Sequence, residues 1–226
     1  MGGETVRLSR NVRPGQKVNV GVDLVSPSAE GAYSGIWTLQ AGNREFGDPL
    51  RVRINVEINA SGKIYDFADH FCTAQWRTSS RTLPCPGSIG NRAGFVVKVD
   101  EARLEIGQAT LPGIWTHPPF TRNTWIRGTF PALIIQTGDH FVADIGCVRN
   151  FDDCDVVFQL QYQTPSDPDD VGLGEWNEIY DGVMTHIDLD LSALVGQYIN
   201  FHLVVRGRGP VNDNAAFWLQ PQIWRP

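Results

Sequence analysis

The sequence predicts an all-β protein built from antiparallel sandwiches, and three observations carry that expectation. No window sustains the i, i+3, i+4, i+7 apolar spacing of an amphipathic helix. Fourteen prolines and 23 glycines are spread along 226 residues rather than clustered, which suits many short strands joined by turns. Alternating apolar and polar runs recur at intervals of about ten residues, the spacing of sandwich strands.

Length and charge bound the alternatives. A chain of 226 residues holds one large or two small domains with real cores. Residues 1–60 carry seven Lys and Arg against six Asp and Glu, and residues 61–226 carry 12 against 19. Phosphate binding requires a basic stripe that this acidic chain lacks, so a nucleic-acid partner is not expected. No apolar run reaches membrane-spanning length. The four cysteines form two local pairs, Cys72 with Cys85 and Cys147 with Cys154, without Cys-x-x-Cys or zinc-finger spacing. Of three connectivities the sequential one is expected, and with it an oxidising, extracellular or cell-surface setting. The opening Met-Gly-Gly-Glu lacks a signal-peptide pattern, so export rests on the cysteines.

In the first 58 residues, alternation predicts strands at Val6–Val12, Lys17–Leu24, Tyr33–Gln40 and Pro49–Ile58, with turns at Arg13–Gln16 and Ala41–Arg44. Pro14-Gly15, Val22–Pro27, Gly31–Tyr33, Gly35–Leu39, Phe46-Gly47 and Val52–Val56 come in the order of a known family. This run resembles the C-terminal half of the immunoglobulin-like four-tryptophan (next-to-BRCA-type) domain of autophagy receptors and bacterial surface proteins. The resemblance implies a truncated domain at 1–58, serving protein interaction or acting as a spacer, in a fragment of a longer protein. Trp37 is expected to anchor its core. Asn59–Gly62 breaks the pattern and marks a boundary.

From residue 62 a second domain is expected to reach the C-terminus. Ile64–Trp76 opens it, and Thr82–Gly87, with prolines flanking Cys85, reads as a disulfide-fastened loop. Phe95–Val99 and Arg103–Ile106 read as strands, and Ile114–Pro119 as a loop. Strand runs follow at Trp125–Pro131, Leu133–Gln136 and His140–Cys147. Cys147 and Cys154 are expected to clamp a hairpin around an acidic loop before the alternating Cys154–Tyr162. Another acidic loop, Ser166–Asp170, precedes Gly174–Gly182. Strands at Tyr198–Arg206 and Ala216–Trp224 close the domain.

Gly128-x-Phe-Pro131, Thr137–Ala143, Val156–Tyr162, Glu178–Gly182, Asp190–Gly196, Phe201–Val205 and Ala216–Ile223 come in an order similar to the galactose-binding-like, carbohydrate-binding-module-like jelly roll of bacterial secreted proteins. The resemblance implies an antiparallel jelly-roll β-sandwich over 62–226, following a partial immunoglobulin-like sandwich, and a structural calcium in some members. Asp152, Asp153 and Asp155, or Asp167, Asp169 and Asp170, would supply its oxygens, although neither run has a calcium-loop pattern.

Sugar recognition needs an aromatic face with planar polar groups beside it. Trp115 and His117 in the proline-rich stretch, Trp125 and Arg127, and Trp176, Glu178, Tyr180 and Asp181 are the candidates. For any one of the aromatics, capping the core is the competing role, and Trp218 reads as core. No His-Glu-x-x-His, Gly-x-Ser-x-Gly or phosphate-binding glycine loop occurs, and the five histidines are scattered, so no enzyme and no catalytic residue is expected. The expected role is a non-catalytic module binding carbohydrate. The alternative is an adhesive or structural spacer of a bacterial surface protein.

Overall fold

A computed structural model describes residues 2–3, 5–8, 11–13, 15–22, 24–25, 27, 31–56, 62–165 and 167–226. The chain divides into two compact units, Met1–Asn59 and Ala60–Pro226. In the first, β1 (Gly2–Gly3) pairs with β2 (Leu24–Val25), and a long antiparallel hairpin joins β3 (Gly31–Ala41) to β4 (Arg44–Val56). The expected strands at Tyr33–Gln40 and Pro49–Ile58 lie in that hairpin, although 57 and 58 fall outside the described residues. Those expected at Val6–Val12 and Lys17–Leu24 do not form: apart from Leu24 in β2, their described residues are irregular. Alternation makes a strand only where a neighbouring strand takes up its backbone groups. Val6, Leu8 and Val20 stay exposed. Trp37 is half-buried rather than enclosed. Pro14 and residues 59–61 of the expected boundary lie outside the described residues.

The second unit begins with β5 (Gly62–Asp66), β6 (Gln75–Thr78) and β7 (Phe95–Val99), then a small hairpin of β8 (Ala102–Leu104) and β9 (Gly107–Ala109). Next come β10 (Gly113–His117), β11 (Trp125–Thr129), β12 (Leu133–Ile134), β13 (His140–Cys147) and β14 (Asp155–Thr164). The series ends with β15 (Asp167–Ile179), β16 (Thr185–Asp190), a 3-10 turn at Ser192–Leu194, β17 (Tyr198–Gly207) and β18 (Ala216–Arg225). One antiparallel sheet runs β16-β13-β18-β10-β7, with β5 paired to the end of β18. The other runs β15-β14-β17-β11-β6, with β12 paired to β17. Together they form an antiparallel jelly-roll β-sandwich. Among the described residues, no helix is long and apolar enough to cross a membrane.

The sandwich forms because each strand carries an apolar face with period two. Val156, Phe158 and Leu160 of β14, Phe201, Leu203 and Val205 of β17, and Trp218 and Ile223 of β18 turn inward and are buried. Trp218 meets Phe158 edge to face at 4.8 Å, and Phe67 meets Phe130 the same way at 4.8 Å. Each such side chain contributes roughly 1.5–3 kcal/mol through burial. Trp76 is buried with its indole Nε1 donating to the Phe71 carbonyl at 2.6 Å. Arg225 pairs with buried Asp139 through Nε at 2.8 Å, while Asp139 also accepts from the Gln136 amide at 2.8 Å.

Three expectations about this unit are corrected. Ile114–Pro119 is not a loop: Gly113–His117 is β10, paired with β7 on one side and β18 on the other. Pro118 and Pro119 end the strand rather than dissolve it. The Cys147–Cys154 disulfide does not clamp a hairpin, because β13 and β14 belong to opposite sheets, so the bridge ties the two layers together. Residues 167–170 are not a loop but the start of β15, an edge strand, where Pro168 costs no ladder bond on its open side. Ser166 lies outside the described residues. The second disulfide joins Cys72 to Cys85.

Gly113 is a point of closest approach: a Cβ there would lie 2.3 Å from the Phe217 ring and 2.4 Å from the Trp218 carbonyl oxygen. The carbonyl belongs to a paired neighbouring strand and cannot yield cheaply. Gly113→Ala should therefore destabilise the unit by about 2–3 kcal/mol, lowering Tm by several degrees in thermal denaturation followed by circular dichroism. An unchanged Tm would contradict the packing described here.

Candidate functional site

The face of the β15-β14-β17-β11-β6 sheet that turns away from the core is polar. Its side chains are those left over once Phe158, Leu160, Phe201, Leu203 and Ile126 have been drawn inward. The register lays them in rows across the strands. One row runs Trp125, Arg206, Val157, Asn177, and the next runs Arg127, Val204, Gln159, Glu175. They line an open groove of about 870 Å³. That volume lies within the usual range for small-molecule sites, about 300–1,000 Å³.

Ion pairs and amide contacts organise the groove. Arg127 forks onto Asp170 at 2.5 and 2.8 Å, the bidentate geometry that suits guanidinium and carboxylate. One of its nitrogens also donates to Nε2 of His202 at 2.9 Å. A guanidinium can only donate, so Nε2 must accept, and the imidazole proton sits on Nδ1, facing the Thr129 hydroxyl at 3.0 Å. His202 is fully buried. Burial, reinforced by the neighbouring Arg127 charge and opposed by Asp170, lowers its pKa to about 4. Arg208 holds Asp155 at 2.7 Å and the Asn177 side-chain oxygen at 2.7 Å. Gln159 donates to Glu175 at 2.5 Å, and Gln161 donates to Gln159 at 3.3 Å. Trp125 stands half-buried at one end of its row.

Of the residues singled out from sequence, the structure brings Trp125 and Arg127 together in this groove and places the other six elsewhere. Trp115 and His117 belong to β10 in the opposite sheet. The Trp115 ring packs edge to face on Phe95 at 5.3 Å. His117 is buried, with its ring nitrogens against the carbonyls of Pro118 and Asn212 at 2.6 and 3.3 Å. Burial pushes its pKa down. Trp176 and Tyr180 pack against the core cluster, and Glu178 is 5% exposed. Asp181 turns the loop after β15, accepting from the Val183 amide at 3.0 Å.

Glu178 is nonetheless unusual, because burial raises its pKa to about 7. Thr185 hydrogen-bonds the carboxylate and opposes the shift, while Glu105 and Asp181 reinforce it. Glu105, absent from the sequence candidates, accepts from the amides of Cys147 at 2.6 Å, Asp181 at 2.8 Å and Gly182 at 3.0 Å, stapling this loop beside the disulfide. The groove residues missed from sequence include Gln159, Gln161, Asn177, Arg206 and Arg208. The signal available for the first two was their position between core residues of β14. As for calcium, Asp155 and Asp170 are held by Arg208 and Arg127. Among the described residues, no three His, Cys, Asp or Glu side chains gather as a metal site, so the donor set does not fit the ion.

Comparison with known proteins gives a family match for the first unit. Residues 3–56 match the model described as "Ig-like domain from next to BRCA1 gene". No curated protein matches the chain significantly. Among solved structures, TmCBM61 in complex with β-1,4-galactotriose is similar over 67% of this chain and 88% of its own, with 10% identity and a TM-score of 0.41. The C-terminal family 22 carbohydrate binding module of Clostridium thermocellum Xyn10B is similar over 75% of this chain and 96% of its own, with 9% identity and a TM-score of 0.42. A structure of CBM51-2 with GlcNAc and INT domains from Clostridium perfringens ZmpB gives 15% identity and a TM-score of 0.45, over 87% of this chain and 38% of that one. At these values none of the likenesses assigns the second unit to a family.

Two buried titrating groups act on stability with opposite sign. Glu178 has its pKa raised from 4.5 to about 7. The folded state therefore binds more protons than the unfolded one between those values, and stability present below pH 4.5 is lost as pH rises through about 7. His202 has its pKa lowered from 6.5 to about 4. Stability present above pH 6.5 is therefore lost as pH falls towards 4. Relative to the parent, Glu178→Gln should be more favourable at pH 8 than at pH 4.5, by an amount on the order of 3 kcal/mol. His202→Gln should be more favourable at pH 4 than at pH 7, by a similar order. Urea denaturation across pH 4–8 measures both, and pH-independent differences would contradict the assignment.

Proposed function

We propose that the second unit is a non-catalytic carbohydrate-binding module of an extracellular or cell-surface protein, and that the groove over β11, β17, β14 and β15 receives the sugar. The observation that carries this reading is the row running from Trp125 to Asn177. An aromatic plate adjoins planar amide and guanidinium groups, the pairing a pyranose needs, with one apolar face to stack and a rim of hydroxyls to hydrogen-bond. The groove crosses four strands at about 4.8 Å spacing, so it accommodates several linked sugar rings rather than one.

Non-catalytic action fits the state of the groove carboxylates. Asp170 is engaged by Arg127 and Glu175 by Gln159, so neither carboxylate stands free as one of the facing pair that glycoside hydrolysis uses. The two disulfides support export, since such bridges persist in oxidising compartments. We read the first unit as part of an immunoglobulin-like domain over 1–58, acting as a spacer or protein-interaction module beside the binding unit over 62–226.

Affinity electrophoresis and isothermal titration calorimetry against a panel of soluble polysaccharides test the proposal. At least one polymer should bind, and Trp125→Ala should weaken it tenfold or more, equivalent to about 1.4 kcal/mol. Trp115→Ala and Trp176→Ala should leave any binding that survives their packing defects largely intact. Failure of every polymer to bind at millimolar sugar, or an unaltered affinity in Trp125→Ala, would overturn the reading and favour a spacer role for both units.

A further inference from the structure

Among the described residues, one cation lining the groove has no partner. Arg127 is neutralised by Asp170, and Arg208 by Asp155. The Glu175 carboxylate accepts from Gln159. Arg206, in the middle of the Trp125 row, is exposed, and among the described residues its side chain has no hydrogen bond, ion pair or ring contact. This uncommitted cation lies in a stretch that is otherwise acidic, since residues 61–226 carry 12 Lys and Arg against 19 Asp and Glu. Solvent-lined clefts concentrate the field of the charges on their walls. A negative group is thus attracted to Arg206 itself and disfavoured over the acidic surrounding surface.

From this we infer that the groove is specific for acidic saccharides, with Arg206 receiving the carboxylate of a uronic acid whose ring lies on Trp125. The inference rests on the carbohydrate-binding reading and narrows it to a ligand class. Trp125 and Arg206 are direct register partners on neighbouring strands, about 4.8 Å apart at the backbone. One sugar residue can therefore touch both. The guanidinium fork matches a planar carboxylate with two parallel hydrogen bonds, which a neutral hydroxymethyl group cannot offer. On the far side of Arg206, buried Val157 presents no competing carboxylate, and the next polar group in the row is the Asn177 amide.

Calorimetry with polygalacturonate and alginate, each beside its carboxyl-reduced neutral counterpart, together with dextran sulfate and the neutral panel, tests this inference. At least one uronate should bind tenfold or more tightly than its reduced form. Arg206→Gln should abolish that preference, whereas Arg77→Gln, which removes the same charge from edge strand β6 outside the groove lining, should preserve it. Equal affinity for acidic and reduced forms, equal loss in both variants, or dextran sulfate binding as tightly as the uronates would overturn uronate specificity. Binding confined to neutral polymers would remove this inference and leave the carbohydrate reading standing. Binding to none of the polymers would remove both.

Discussion

The governing constraint is that two sheets bury one face each against the other, so every residue on a strand has its side decided by its parity. On β15 the parity that sends Trp176 against the core also carries Glu178 inward and turns Glu175 and Asn177 out. On β17 it sends Phe201, Leu203 and Val205 in and leaves His202, Val204 and Arg206 for the other face. The chemistry of the groove is thus what remains after the core has been served. A slip of one residue on either strand would exchange the two faces completely. The aromatic contacts around Trp218 and Phe158 make that slip prohibitive.

Within the groove, the Arg127 side chain is held in place by its neighbours. Arg127 is held from two sides, by a carboxylate from edge strand β15 and by a buried neutral imidazole from β17. The imidazole itself is oriented through Thr129. Such a network is costly to bury unless its members are satisfied, and among the described residues Arg127 Nε is the atom of this network left without a hydrogen-bond partner. A ligand meeting Arg127 would not have to order that side chain, a cost that otherwise subtracts from affinity.

Much of this was legible in the sequence, and the failures have identifiable physical causes. Alternation in 154–162 and 198–206, the two local cysteine pairs and the absence of helical spacing lead directly to the sandwich and its bridges. Trp125 and Arg127 are recognisable as an aromatic beside a planar cation. The Arg127–Asp170 pair is not, because it joins residues 43 apart through a sheet edge whose acidic, proline-containing sequence has the composition of a loop. Pro118-Pro119 gives the stretch holding Trp115 and His117 the look of a loop, although the prolines act only on the end of the strand. Glu178 and Tyr180 adjoin Asp181 along the chain, but their parity puts them on the same side of the strand as Trp176. The described residues of 6–12 show the converse limit, since a good pattern without an adjoining strand stays irregular.

The pairing of β5 with β18 bears on how the second unit would respond to being pulled. Gly62 lies opposite Arg225, so the chain enters and leaves at the same point of one ladder. Tension applied through these ends would open the ladder like a zip, loading its hydrogen bonds one at a time rather than all together in shear. The Lys63–Asp66 pair at 2.7 Å and the buried Arg225–Asp139 pair stand at this opening point. Beyond them the Cys72–Cys85 bridge would shorten the length of chain released. Pulled through these two ends, the unit would yield first at this seam, before the load reached the opposite sheet.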